Sequence, residues 1–228
     1  QKMFIHSCME TNIIIRMAKS NNVMHKKKEQ GLVTRQKILA AAEHVFFENG
    51  AALTSLEQIA EKANVTRGAI YGHFKNKNMI LEHVIDSAII HVIDIFCSSL
   101  TETPKPSLEQ LRKATIDTIL TIVRSPRLTR CLSIAMLKCE YTEEFSYIIE
   151  RHTHYRDEVH DLFMAYYSNM EKCGIDLPKE PEKMAEALLF YTTGLLTECC
   201  KHPDKLDIEK DIADYLDIFF FSVSKPPA

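Results

Sequence analysis

Five side chains in one short stretch of the chain could bind the phosphates and base edges of a nucleic acid. They are Arg67, Tyr71, His73, Lys75 and Lys77. Arginine can donate two hydrogen bonds to a guanine edge, whereas lysine supplies charge to backbone phosphates. Ala69, Ile70 and Phe74 recur between them at helical spacing. We therefore expect these three apolar residues to face a core and the five polar side chains to face outward.

Two short helices joined by a tight turn must position these side chains. Residues 53–77 read LTSLEQIAEKANVTRGAIYGHFKNK, and overlapping capping boxes begin at Thr54 and Ser55. Asn64 falls at the turn, where a left-handed backbone is required, and Thr66 is a good cap for the second helix. The pattern predicts a helix-turn-helix whose second helix enters a DNA major groove with its N-terminus leading.

We expect ten residues of this region to contact double-stranded DNA. Arg67 is the best placed to reach a base edge, while Tyr71 and His73 suit a phosphate or a thymine methyl group. Hydroxyl groups and free N–H groups at helix starts can hold phosphates, and Gly68 lets the backbone approach closely. The complete predicted set is Thr34, Thr54, Ser55, Thr66, Arg67, Gly68, Tyr71, His73, Lys75 and Lys77.

The same residues resemble the DNA-binding signature of the TetR family of one-component repressors. The resemblance begins at Thr34-Arg35-x-x-Ile38-Leu39-x-Ala41-Ala42 and continues through TSLEQIA and VTRGAIYGHFKNK. It implies an all-α subunit of about nine helices, with an N-terminal three-helix DNA-binding domain and a C-terminal helical domain for ligand binding and dimerisation. Gly72 departs from the family pattern, which often has a larger residue there, so the operator sequence stays open.

Charge and composition agree with a chain of three parts. We expect a flexible N-terminal extension over residues 1–30, of which 1–23 are dispensable, the helix-turn-helix domain over 31–77 with its recognition helix at about 66–74, and the ligand-binding and dimerisation domain over 78–228. Lys and Arg outnumber Asp and Glu by 9 to 5 between residues 24 and 80, whereas Asp and Glu lead by 25 to 16 from residue 81 onward. A basic head for phosphates on an acidic body accounts for the net charge of −3.

Helical periodicity continues through the rest of the chain. The two helices of the helix-turn-helix lie within residues 53–77, and a fourth helix begins near Lys77 and carries apolar residues as far as Phe96. The other predicted helices cover about residues 33–49, 107–124, 127–139, 143–173, 181–201 and 207–223, with a proline-containing loop at 101–106 and a capping box at Ser107. The last two helices carry more apolar residues than one subunit needs, so a partner should cover the surplus. The resemblance implies a homodimer formed through these two helices, which would place two recognition helices on a palindromic operator.

A looser resemblance in the body concerns the effector. Leu137-Lys-Cys-Glu-Tyr141 and Thr193-Gly-Leu-Leu-Thr-Glu198 look like the AcrR/TtgR branch, whose members repress multidrug efflux-pump operons. The resemblance implies a bulky hydrophobic or cationic drug-like effector in a cavity framed by the fourth to eighth helices, with acids such as Glu140 favouring cations. The expected lining residues, each of which could equally be ordinary core, are Ile85, Ile89, Ile119, Ile122, Cys139, Leu189 and Thr192.

Other classes of function leave weaker signals. Cys199, Cys200 and His202 form a soft-ligand cluster that would suit a sensor of metal or thiol oxidation, although adjacent cysteines rarely share one tetrahedral ion. The chain has seven cysteines, no C-x-x-C pair and no known catalytic motif, so we expect free thiols, no enzyme activity, no cofactor and no bound metal. No apolar run reaches the length of a membrane span, and we expect a cytoplasmic protein without membrane contact.

Overall fold

The computed structural model describes residues 29–100, 105–139, 146–203 and 205–224, and every regular element within these ranges is an α-helix. The first helix, α1, covers residues 29–49. The others are α2 (Leu56–Ala63), α3 (Arg67–Tyr71), α4 (Lys77–Leu100), α5 (Leu108–Arg124), α6 (Pro126–Leu137), α7 (Ser146–Lys172), α8 (Pro181–Lys201) and α9 (Ile208–Ser224). The predicted all-α fold is confirmed. Residues 1–28, most of the expected N-terminal extension, and residues 101–104 of the expected loop lie outside the described ranges.

Most helices end where their local sequence predicts, but the start of α1 and the cap of α5 differ from the prediction. Gly50 and Gly174 adopt positive φ angles of 81° and 80°, where the chain leaves α1 and α7. Residues 29–32 are already helical, so α1 begins earlier than predicted. The capping box expected at Ser107 is only half formed. The Ser107 hydroxyl accepts a hydrogen bond from the N–H of Gln110, but the Gln110 side chain donates to the Leu100 carbonyl at 2.7 Å.

Two apolar cores divide the subunit, and α4 contributes to both. The first core joins α1, α2 and α3, which we call the head, to the beginning of α4 and to α6. Its largest buried side chains include Ile38, Phe46, Ile59 and Phe74. The second core packs α5, α7, α8 and α9, which with α4 and α6 we call the body, around the buried Tyr167. Because α4 passes from one core to the other, the head and body cannot move independently of it.

Most apolar side chains described on α8 and α9 are buried or half-buried, but three large ones are exposed. Leu188, Leu189 and Leu216 are buried. Phe190 on α8 and Ile218 and Phe221 on α9 are 59%, 63% and 59% exposed. Gly194, one turn after Phe190, has open space where a side chain would be. The surplus apolar surface is therefore smaller than the sequence indicated.

Candidate nucleic-acid interface and ligand cavity

The turn between α2 and α3 sets the direction of α3. Ser55 caps α2, since its hydroxyl accepts from the N–H of Gln58 at 3.2 Å and the Gln58 side chain accepts from the N–H of Ser55 at 2.8 Å. Asn64 then adopts the left-handed conformation, with φ 52°. Thr66 caps α3 by accepting from the N–H of Ala69 at 3.1 Å. The predicted helix-turn-helix is present, although regular helix in its second half ends at Tyr71 rather than at residue 74.

Arg67 and Tyr71 contact each other on the exposed face of α3. The Arg67 guanidinium donates to the Tyr71 hydroxyl at 3.1 Å and lies 5.5 Å from the centre of the Tyr71 ring. It also forms an ion pair with Glu57 of α2. The hydrogen bond to Tyr71 and the charge of Glu57 raise the pKa of Arg67. The surface thus presents an oriented cation, for which an anionic ligand would compete with Glu57.

Two of the ten predicted DNA contacts need correction. Thr54 is only 3% exposed, and its hydroxyl donates to the carbonyl of Gly50 at 2.7 Å. The prediction for Thr54 is therefore wrong, because a buried hydroxyl that already donates to the backbone cannot reach a phosphate. Thr34 was expected at a helix start. It lies inside α1 instead, and its hydroxyl donates to the Gln30 carbonyl at 2.9 Å.

The other predicted contacts lie at or near the surface. Thr66, Gly68 and Lys75 are exposed, and Ser55, His73 and Lys77 are half-buried. The Lys77 ammonium donates to the Ala52 carbonyl at 3.0 Å, so this lysine also stabilises the loop after α1. The capping hydroxyls of Ser55 and Thr66 act as acceptors towards their helices, which leaves each O–H able to donate to a phosphate. These contacts remain predictions.

Arg35 is a basic residue of the head that was not predicted to have a role. Its guanidinium lies 5.1 Å from the centre of the Phe74 ring, although the two residues belong to α1 and to the turn after α3. A cation over a ring face is favourable, so this contact fixes α1 against the end of the helix-turn-helix. No local sequence pattern indicates a contact between residues so far apart in the chain.

A cavity of about 350 Å³ lies in the body, among α4, α5, α6, α7 and α8. Its walls are mainly apolar. The polar side chains that line it are Thr115, Thr118, His152, Tyr155, Arg156, Thr192 and Thr193. A space of this size, with a few polar groups among apolar ones, suits a drug-sized organic molecule.

Five of the seven predicted lining residues border this cavity, namely Ile89, Ile119, Ile122, Leu189 and Thr192. The predictions for Ile85 and Cys139 are wrong. Ile85 lies one turn before Ile89 on α4 and is packed within the core that contains the head. Cys139 follows the end of α6 and packs against that same core. Glu140, which was expected to favour cations, lies outside the described residues.

The cavity was expected among the fourth to eighth helices, but no residue of α7 was among the predicted lining residues. Six residues of α7 line the cavity, and they are His152, Tyr155, Arg156, Val159, Leu162 and Phe163. Their neighbours are strongly polar, which hid the apolar stripe. A signal was nevertheless present, because Tyr155, Val159, Leu162 and Phe163 recur at the spacing of one helix face.

A family model matches part of the head and the start of α4, and full-length relatives cover the body as well. The model for the bacterial regulatory proteins of the tetR family matches residues 38–84, which span the helix-turn-helix and the start of α4. The HTH-type transcriptional regulator TtgR of Pseudomonas putida is 31% identical over 197 residues, which cover 86% of this chain and 93% of TtgR. The chain belongs to the TetR family.

Two solved structures of efflux-pump repressors share the fold. NalD, the secondary repressor of the MexAB-OprM multidrug efflux pump in Pseudomonas aeruginosa, is 30% identical with a TM-score of 0.73, over 85% of this chain and 96% of NalD. SmeT, the repressor of the Stenotrophomonas maltophilia pump SmeDEF, is 25% identical in its complex with triclosan. Its TM-score is also 0.73, over 86% of this chain and 96% of SmeT.

In this TetR-family body a buried carboxylate links the cavity wall to α4. Asp86 of α4 is 8% exposed. Arg151 of α7 donates to it through both Nε, at 2.6 Å, and Nη2, and also pairs with Glu82 at 2.9 Å. Tyr155 donates its hydroxyl to Asp86 at 2.8 Å. Burial and the bond to Asp86 raise the pKa of Tyr155 to about 12, so this hydroxyl keeps its proton. Because Tyr155 also lines the cavity, one hydrogen bond connects the cavity to the helix that follows the head.

A second set of contacts joins the head to α6. Glu43 of α1 is 4% exposed, and its carboxylate pairs with Arg130 at 2.7 Å and with Arg127 at 3.4 Å. The Ala51 N–H donates to the Lys138 carbonyl at 3.0 Å. The helix that these residues hold also lines the cavity, through Leu132, Ala135 and Met136. The cavity therefore touches both helices on which the TetR-family head is mounted.

Cys199 and Cys200, the two cysteines of the expected soft-ligand cluster, are poorly suited to sensing. Burial raises the pKa of Cys199 to about 11 and also raises that of Cys200. Both thiols are therefore protonated at neutral pH, a form that neither binds metals nor reacts readily with oxidants. Within the described residues, no group of three or more His, Cys, Asp or Glu side chains could hold a metal ion. No helix of the described part is long and apolar enough to cross a membrane.

The Glu57–Arg67 ion pair should weaken DNA binding. We expect Glu57→Gln to tighten binding about three- to tenfold, because Arg67 no longer leaves an anionic partner and one charge that repels phosphates is lost. We expect Arg67→Gln to weaken binding to the preferred sequence about ten- to hundredfold, and to a scrambled duplex much less. Fluorescence anisotropy at fixed salt measures both effects.

Glu61→Gln is the matched control, because it removes an exposed carboxylate from the same helix without touching Arg67. It should change the affinity less than Glu57→Gln. Equal effects of the two variants would mean that only net charge matters and that the ion pair with Arg67 has no part in DNA binding.

Proposed function

We propose that this chain is a ligand-responsive transcriptional repressor of a multidrug efflux-pump operon, which releases its operator when a bulky drug-like molecule fills the cavity. The observation that carries the proposal is that α4, the helix that leaves the head, forms part of the cavity wall. NalD and SmeT, with the same fold, repress efflux pumps, and SmeT has been solved with triclosan. Such a regulator would act in the cytoplasm, where its operator DNA lies.

The active form would be a homodimer on a palindromic operator. The recognition helices of a dimer must reach successive major grooves, which are about 34–36 Å apart, and one subunit cannot provide this spacing. Phe190, Ile218 and Phe221 offer exposed apolar side chains for a dimer face on the two C-terminal helices, and Phe190 also lines the cavity. Gly194 would let a partner helix approach this face closely. The same face on two copies would bury its apolar surface symmetrically.

Switching would follow from the position of α4. A ligand acts only through its different affinity for the bound and free positions of the heads. Ile89, Val92 and Phe96 of α4 line the cavity, while Ile80 and Leu81 of the same helix belong to the core of the head. A ligand that displaces the cavity half of α4 would therefore tilt the head and change the spacing of the two recognition helices.

The proposal is tested with the DNA immediately upstream of this protein's own gene. We expect a mobility shift with this duplex in the presence of competitor DNA, and release by some members of a panel of antibiotics and aromatic drugs. Binding that no compound releases would contradict the effector half of the proposal. Absence of any preference for this duplex over a scrambled one would contradict local repression.

The bond between Tyr155 and Asp86 should carry part of the coupling. Coupling between two sites in proteins of this kind typically changes an affinity about 5- to 150-fold. We expect Tyr155→Phe to reduce the effector-induced loss of DNA affinity by about three- to tenfold. It removes one hydrogen bond but preserves the ring that lines the cavity. The measurement compares the DNA dissociation constant with and without saturating effector.

Tyr166→Phe provides the control for this variant. Tyr166 also lies on α7, and its hydroxyl contacts Ser107 and Gln110 rather than Asp86. It should leave the coupling unchanged. If Tyr155→Phe keeps the full effector response, the hydrogen bond to Asp86 does not transmit the signal.

The dimer face can be tested without DNA. We expect Ile218→Glu to convert the dimer into a monomer at micromolar concentration, because two carboxylates would be buried in an apolar contact. Leu53→Glu introduces the same charge at a residue that is 78% exposed on the head, and it should remain dimeric. Sedimentation equilibrium distinguishes the two states. A dimeric Ile218→Glu protein would place the interface elsewhere.

A further inference from the structure

The charges around the cavity do not favour a cation. No Asp or Glu occurs among the described residues that line it, and its one fully charged side chain is Arg156. Asp86 lies beyond Tyr155, and Arg151 already neutralises it. A permanent cation that entered the cavity would lose its hydration without gaining a counter-ion.

The aromatic rings of the cavity offset only a small part of this loss. Phe96 and Phe163 contact each other edge to face, with their ring centres 5.3 Å apart. The ring of Tyr155 already has the Arg151 guanidinium 5.8 Å from its centre. These three rings are thus engaged with partners of their own, and the remaining ring, that of Phe190, is 59% exposed, so the rings do not form a closed cage around a cation site.

Four of the five hydroxyl groups that line the cavity act as acceptors towards it, and the fifth belongs to the exposed Thr193. Thr115 and Thr118 donate their protons to the carbonyls of Leu111 and Ala114, each at 2.7 Å. Thr192 donates to the carbonyl of Leu188 at 2.8 Å. Tyr155 likewise donates to Asp86. Each of the four oxygens therefore has only lone pairs to offer a ligand, unless it breaks a bond within the protein.

The N–H donors of the cavity are fewer and lie on α7. Burial lowers the pKa of His152, so its ring is neutral near pH 7 and has one N–H. The Arg156 side chain is 51% exposed and pairs with Asp157, which places it at the rim. Apart from the exposed Thr193 and Arg156, the lining thus offers four acceptors against one donor, and a ligand that supplies hydrogen-bond donors matches it best.

We propose that the effector is a neutral aromatic molecule with hydroxyl or N–H donors, and that permanently cationic aromatic compounds are poor ligands. This inference depends on the proposed function only in treating the cavity as the effector site. It narrows the class of effector expected from the sequence, which included cationic as well as hydrophobic molecules. The donors of the ligand would bond to the threonine oxygens of α5 and α8, and its rings would fill the apolar remainder.

Three probes that share one ring system test this proposal on the purified full chain. They are para-hydroxybiphenyl, its methyl ether, and biphenyl carrying a para-trimethylammonium group. Calorimetry without DNA measures their dissociation constants. We expect the phenol to bind about two- to tenfold tighter than the ether, because only the phenol donates a hydrogen bond. We expect the cation to bind more than about tenfold weaker than the phenol.

Threonine variants test which oxygens cause the preference for the phenol over the ether. The combined variant Thr115→Val, Thr118→Val and Thr192→Val removes three acceptors with little change of shape, and it should bind phenol and ether equally. If it does not fold, the three single variants should each lower the preference or leave it unchanged, and at least one should lower it. Thr121→Val is the control, since Thr121 makes the same type of bond, to the Asp117 carbonyl at 2.7 Å, outside the cavity.

The outcomes separate this proposal from the proposed function. A cation that binds as tightly as the phenol, an ether that binds equally well, or the failure of all three probes to bind would each overturn the ligand class. If the three probes bind in the expected order but the protein shows no specific operator binding, the proposed ligand class stands and the repressor function is contradicted.

Discussion

The buried carboxylate of Asp86 is the group on which the coupling of the two halves depends. A carboxylate removed from water is stable only if charges and hydrogen bonds compensate it, and Asp86 obtains both from α7. Arg151 supplies the charge and Tyr155 supplies an O–H donor. The pairing fixes the register between α4 and α7, and it does so where α4 passes from the core of the head to the wall of the cavity.

This arrangement makes α4 one structural element with two environments. Its first turns pack with α1, α2 and α3, while its middle turns face the cavity. The ion pairs of Glu43 with Arg127 and Arg130 hold the head against α6 in a comparable way. Since close-packed interiors transmit displacement rather than absorb it, a change in the cavity reaches the head through both helices.

Local chemistry made much of this fold predictable from sequence. Asn64 at a left-handed turn, Ser55 and Thr66 as caps, and Gly50 after α1 are each determined by a few neighbouring residues. The failures concern contacts between residues distant in the chain. Ile85 and Ile89 have the same character and lie one turn apart, yet only Ile89 reaches the cavity. That difference depends on where α6 and α7 cross α4, which periodicity does not report.

The chemical character of the cavity is a further property that composition conceals. A threonine hydroxyl can in general both donate and accept hydrogen bonds. The bonds from Thr115, Thr118 and Thr192 to carbonyls of their own helices remove the donor half of that capacity. The same bonds that satisfy the buried hydroxyls therefore also determine which ligands the cavity prefers. A pocket built from helical threonines selects for donors even though no residue in it is a dedicated acceptor.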